Sequence, residues 1–131
     1  LMGLGLFISM DFMKSYSFRS ERSIAVSVLR KTRTLSMINA NQAPHGARIE
    51  PTRYTIFEGA SFNPASPQNE VIDTQSAVAI TCSPIPCTSA SPLDIVFKQL
   101  DGSVSPASSI TVSDGVRLAV ISINEEGQID W

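Results

Sequence analysis

The chain has 131 residues and a formal charge of −2, with 43% hydrophobic and 17% charged residues. That length suits one domain with one core, and the near-neutral total excludes a wholesale attraction to nucleic acid or anionic membrane. The charge is uneven: six of the ten Lys and Arg residues lie between Lys14 and Arg33, where the one acid is Glu21, and the chain after Pro44 is acidic and rich in Ser, Thr, Pro and Val.

The first charge is Asp11, so "LMGLGLFISM" is bare. A membrane-spanning helix needs roughly 20 apolar residues, and this run is too short to be one. It reads as a buried core helix, as a disordered tag remnant or as part of a longer span, with Leu1, Leu4, Leu6, Phe7 and Ile8 as its apolar side chains. Asp11 then marks a membrane boundary or pairs with Lys14 at i+3. The stretch holds no complete secretory signal, and we expect the chain to begin inside the hydrophobic segment of a longer product.

No proline occurs before Pro44. Ile24, Val28, Leu35 and Ile38 recur at helical spacing, and Ala25 and Leu29 widen the stripe as a core-facing helix requires. Arg22, Arg30 and Arg33 largely occupy other faces. Asn39, Asn41, Pro44 and Gly46 supply stop signals. A continuous helix over this third of the chain would be about 60 Å long at 1.5 Å per residue, so its front must project.

Past Pro44 the pattern shortens. "ARIEPTRYTIFEG" predicts two strands around a turn at Pro51 and Thr52, and "ASFNPASPQN" a loop. "EVIDTQSAVAIT" is strand-like in parts. "LDIVFKQLDGS" predicts a strand ending at Asp101-Gly102, and "SSITVSDGVRLAVISIN" two strands about Ser113-Asp114-Gly115. "QIDW" closes as a last short strand. Val116, Leu118, Val120 and Ser122 share one side of the long strand near the end, and Arg117, Ala119, Ile121 and Ile123 the other. Both sides are largely apolar, so this strand is predicted to be central and covered on both faces. Short runs divided by tight turns favour antiparallel pairing. The fold class is α+β: a long N-terminal helix packed on a small antiparallel sheet. It divides into 1–13 as the hydrophobic front, 14–43 as the amphipathic helix base and 44–131 as the β body.

Catalytic signatures are missing. His45, the one histidine, follows Pro44 in a turn and has no evident partner for acid–base work. There is no G-x-S-x-G elbow, phosphate-binding loop or complete calcium loop. Asp101 and Asp114 read first as hairpin-turn residues and second as a calcium site. Cys82 and Cys87 enclose "SPIP"; a lone C-x₄-C pair is a poor zinc site and not the usual redox motif, which leaves a structural disulfide or two free thiols. Tyr54, Phe57, Phe62, Phe97 and Trp131 are expected in the core or on sheet faces.

Three separated segments carry a resemblance. "LRKTRTLSMINANQAPHGARIE" resembles the helix end of the GspH/FimT-like minor pilins and pseudopilins, through Leu29, Arg30 and Arg33, with Thr32 and Ser36 or Met37 where small residues are usual. "LDIVFKQLDGSV" resembles that family's central strand through Phe97 and Gly102. "GVRLAVISINEEGQIDW" resembles its closing strand and turn through Ile123, Asn124, Gly127 and Ile129. The family's processing site and the glutamate that follows it have no counterpart here. The resemblance implies a non-enzymatic subunit, without cofactor or metal, of a type II secretion pseudopilus or a type IV pilus. It implies other pilins as partners, and an inner-membrane location through the N-terminal helix with the globular part outside. The candidate interaction surface is Gly59–Pro92, because long Pro-rich stretches of this kind are commonly functional. The alternative function is that of a DNA-binding minor pilin of a DNA-uptake pilus. Nucleic acid is disfavoured because "NEEGQIDW" carries Glu125, Glu126 and Asp130 and no cation, and because no aromatic platform in a basic groove is evident.

Overall fold

A computed structural model gives the structure; it describes residues 2–74 and 78–131, with side chains from Tyr16 onward. Helix α1 (Met2–Met37) is followed by a short 3-10 turn (Ala40–Gln42) and eight strands: β1 (His45–Ile49), β2 (Arg53–Glu58), β3 (Glu70–Asp73), β4 (Ala79–Ser83), β5 (Leu93–Phe97), β6 (Ser108–Ser113), β7 (Leu118–Ile123) and β8 (Ile129–Asp130). The fold is α+β. In place of the one small sheet expected there are two antiparallel sheets of four strands, ordered β3-β2-β1-β5 and β4-β6-β7-β8. Among the described residues no helix is long and apolar enough to cross a membrane. The expectations for Leu1, Leu4, Leu6, Phe7 and Ile8, for an Asp11–Lys14 pair and for a projecting front lie outside the described side chains.

The helix base packs as its periodicity dictates. Ala25, Val28 and Leu29 are buried, and Ile24 and Leu35 lie half-buried against the same core. Val28 and Leu29 each contribute about 1.5–3 kcal/mol by this burial. Ile38 is a correction: it is 67% exposed. Asn39 adopts a left-handed conformation (φ 57°), which asparagine tolerates better than most residues. The helix therefore stops at Met37, and the +3 relation to Leu35 no longer carries Ile38 onto the stripe.

The first sheet turns Ala47, Ile49, Tyr54, Ile56, Leu93, Ile95 and Phe97 to the core. Its other face is closed by its own loop. Phe62 stands edge-on to Phe57 at 5.6 Å, and Arg48, forked onto Asp94 at 2.7 and 2.9 Å, lies 3.8 Å over the Phe62 ring. Both faces of β2 are thus buried from Tyr54 to Phe57. Gly46 makes room for this arrangement, since a Cβ there would sit 2.3 Å from the Phe57 ring.

The second sheet presents Ile80, Ile110, Val112, Ile121 and Ile123 to the same core. Its other face is open, which corrects the expectation for β7. That strand is paired on both edges, but to β8 only at Ser122 and Ile123. Leu118 is 66% and Val120 46% exposed. The helix and the first sheet lie on one side, and no described layer covers the other.

Candidate functional site

The residues that carry the resemblance come together at one junction. Helix α1 ends against two turns, 99–103 after β5 and 124–128 between β7 and β8. Leu100 N–H donates to the Ser36 carbonyl at 2.9 Å, and Val104 N–H to the Glu125 carbonyl at 2.9 Å. Gln99 Nε2 donates to Asn39 Oδ1 at 2.6 Å. Gly102 and Gly127 touch back to back: a Cβ on Gly127 would fall 1.9 Å from the Gly102 carbonyl oxygen and 3.1 Å from Arg33 Nε, while one on Gly102 would meet Met37 at 2.8 Å. Both glycines have positive φ, 69° and 82°. Asn124 closes the last turn, accepting from Gln128 N–H at 2.8 Å and donating Nδ2 to Gln128 Oε1 at 2.9 Å.

The helix side of this junction uses small residues where the resemblance places them. Thr32 and Ser36 are fully buried. Thr32 Oγ1 donates to the Val28 carbonyl at 2.7 Å. Ser36 Oγ accepts from His45 N–H at 2.8 Å and donates to the His45 carbonyl at 3.2 Å. His45 is therefore not a loop histidine: it opens β1, is buried, and lies 3.6 Å from Glu58 through Nε2. Sequence reading missed Glu21 as well. Fully buried, it accepts a 2.8 Å hydrogen bond from the Tyr54 hydroxyl. Burial, then the charge of Glu21, then this bond hold the Tyr54 phenol far above the ordinary tyrosine value.

A polar cleft of about 740 Å³ opens beside the junction, between α1 and the β7–β8 turn, lined by Arg30, Arg33, Thr34, Ser122, Gln128 and Asp130 among others. Arg30 lies 4.1 Å from the centre of the Trp131 ring, close enough for a cation–π contact. Trp131 is half-exposed rather than in the core. The C-terminal segment, devoid of cations in sequence, thus receives arginines from the helix, and an aromatic ring stands among them. Two distant segments had to meet before either feature could be seen.

Cys82 and Cys87 form a disulfide with Cα atoms 5.4 Å apart. Cys87 is buried in the core while Ser83, Pro84, Ile85 and Pro86 stay exposed. The loop-entropy model assigns so short a ring about 2 kcal/mol. The Cys82→Ala/Cys87→Ala double variant should lose about that much in a denaturant titration, with an unchanged m-value. The 59–92 stretch contributes β3 and β4, an outer strand of each sheet, where "EVIDTQSAVAIT" reads as strand-like in parts. Asp101 and Asp114 act within their own turns. Asp101 accepts from the N–H and hydroxyl of Ser103, and Asp114 from the N–H groups of Val116 and Arg117. Backbone N–H groups, first among several donors, lower both carboxylates. Among the described residues no cluster of His, Cys, Asp or Glu could hold a metal ion.

No protein family, curated protein or solved structure matches the chain.

Proposed function

We propose that this chain is a non-enzymatic structural subunit of the GspH/FimT-like kind, a minor pilin or pseudopilin in a type II secretion pseudopilus or type IV pilus. The observation that carries the reading is the use of the helix. Its second half is locked to a β body, with Ala25, Val28 and Leu29 buried, while Arg19, Ser23, Ser27 and Arg30 on other faces remain exposed. The convergence of Arg33, Ser36, Phe97, Gly102, Asn124 and Gly127 on one end of the core gives the scattered motif a physical role: it joins the rod to both sheets. In this reading the apolar front anchors the subunit in the bacterial inner membrane, with the body outside, and later packs among neighbouring helices. The exposed loops of 59–92 face partners.

The reading is tested in cells that assemble such filaments. A photo-crosslinking residue at Ser27, on the open helix face, should yield adducts with other pilin-type subunits, and the chain should appear in sheared filament fractions. Recovery in the membrane fraction only, with no adduct in filament-producing cells, would overturn it.

A further inference from the structure

We propose that the cleft beside the Arg30–Trp131 stack is a binding site for carboxylates of an acidic peptide segment on a protein partner. The proposal stands independently of the filament reading.

The cleft is rich in donors without a partner of opposite charge. Neither Arg30 nor Arg33 forms an ion pair among the described residues, and Arg33 Nε is buried with no hydrogen-bond acceptor. Arg30 and Arg33 stand three residues apart on the helix, so their guanidinium groups neighbour each other along the cleft. Planar guanidinium forks match carboxylate oxygens two by two. Thr34, Ser122 and the Gln128 amide add uncharged donors at the walls. The Asn124–Gln128 bond occupies the Gln128 carbonyl oxygen and does not use its NH₂ group. Asp130 is the one carboxylate in the lining.

Size and local charge select the ligand class. A volume of about 740 Å³ far exceeds the roughly 30 Å³ share of one water, so the space suits a short extended peptide better than a single ion. At the Arg30–Trp131 stack a smaller cleft of about 230 Å³ is also lined by Arg22, Ser23 and Ser27, which gives a second carboxylate its own cation. A nucleic-acid backbone fits less well. Arg22, Arg30 and Arg33 line the two clefts, Asp130 lines the larger one, and Glu125 and Glu126 lie in the adjoining β7–β8 turn. The region has no net positive charge with which to displace counterions from a polyanion. Discrete carboxylates are read by individual forks and do not need a basic field.

The experiment uses the full chain in nonionic detergent at physiological salt, with fluorescein-labelled hexaglutamate as probe. Anisotropy is read on the peptide and emission on Trp131, the one tryptophan. Saturable hexaglutamate binding is expected, with a change in Trp131 emission and no binding of hexaglutamine. Arg30→Gln, at an exposed position, and Gln128→Glu, which places a carboxylate in the wall, should each weaken binding at least tenfold. Circular dichroism confirms that both variants are folded. Absence of hexaglutamate binding, or equal affinity in both folded variants, overturns the proposal. Tighter binding of an oligothymidylate than of hexaglutamate in the same buffer also overturns it, in favour of a nucleic-acid surface.

Discussion

Replacing Gly127 with alanine is expected to destabilise the protein by about 3 kcal/mol or more, a fall in Tm of about 10 °C. Two effects combine. The residue sits at φ 82°, where an L side chain costs roughly 1–2 kcal/mol. The added methyl would also overlap the Gly102 carbonyl, 1.9 Å away, which is backbone and has no rotamer in which to escape. Relief requires the two turns to part, and that breaks the contact between the helix end and the second sheet. Gly115 separates these effects. Its φ is 92° and nothing lies within 4 Å of a built Cβ, so Gly115→Ala should show the conformational cost without the clash, about 1–2 kcal/mol. Thermal melts of both variants followed by circular dichroism provide the comparison. Equal losses would mean that the Gly102–Gly127 contact does not join the helix to the closing turn.

The second large effect belongs to Tyr54 and Glu21. Tyr54→Phe keeps the ring but removes the donor to a buried carboxylate, and should cost about 2 kcal/mol in chemical denaturation. It should also change the alkaline limb of the stability profile. The phenol is raised from its ordinary value of 10.0 in the folded state, so folding favours the protonated form. The stability this contributes is complete below pH 10. It declines above that, as the unfolded chain begins to release its proton while the folded one still holds it. Wild-type protein should therefore lose stability between pH 10 and 11 faster than Tyr54→Phe does. Parallel curves for the two proteins would show that the folded-state phenol titrates normally.

Much of the fold was legible because its signals are local. Pro51 with Thr52, Asp101-Gly102 and Ser113-Asp114-Gly115 mark the ends of β1, β5 and β6 in the sequence itself. The helix stripe announces Ala25, Val28 and Leu29. What was not legible depends on partners far along the chain. Nothing in β1 says that it pairs with β5, and nothing in β4 says that it joins β6 rather than β3, so two sheets were read as one. Apolar residues on both sides of β7 suggested two cover layers. The pattern records hydrophobicity, whereas coverage depends on how many layers exist. The candidate site followed the same rule. Its motif residues are visible one by one, but the Arg30–Trp131 stack and the Tyr54–Glu21 bond exist only after distant segments of the chain have been brought together. In the sequence Glu21 reads only as the one acid of a basic stretch, because burial cannot be read from charge.

One hydroxyl has a mechanical consequence. Ser36 grips both polar groups of the His45 backbone, and the carbonyl of the same residue takes the N–H of Leu100. Tension applied along the rod reaches β1 and the β5 turn together at its last coil, so several bonds share the load rather than opening one after another. A tug on the shaft is thereby spread across the head, and the short connection of 38–44 is spared from carrying it unaided.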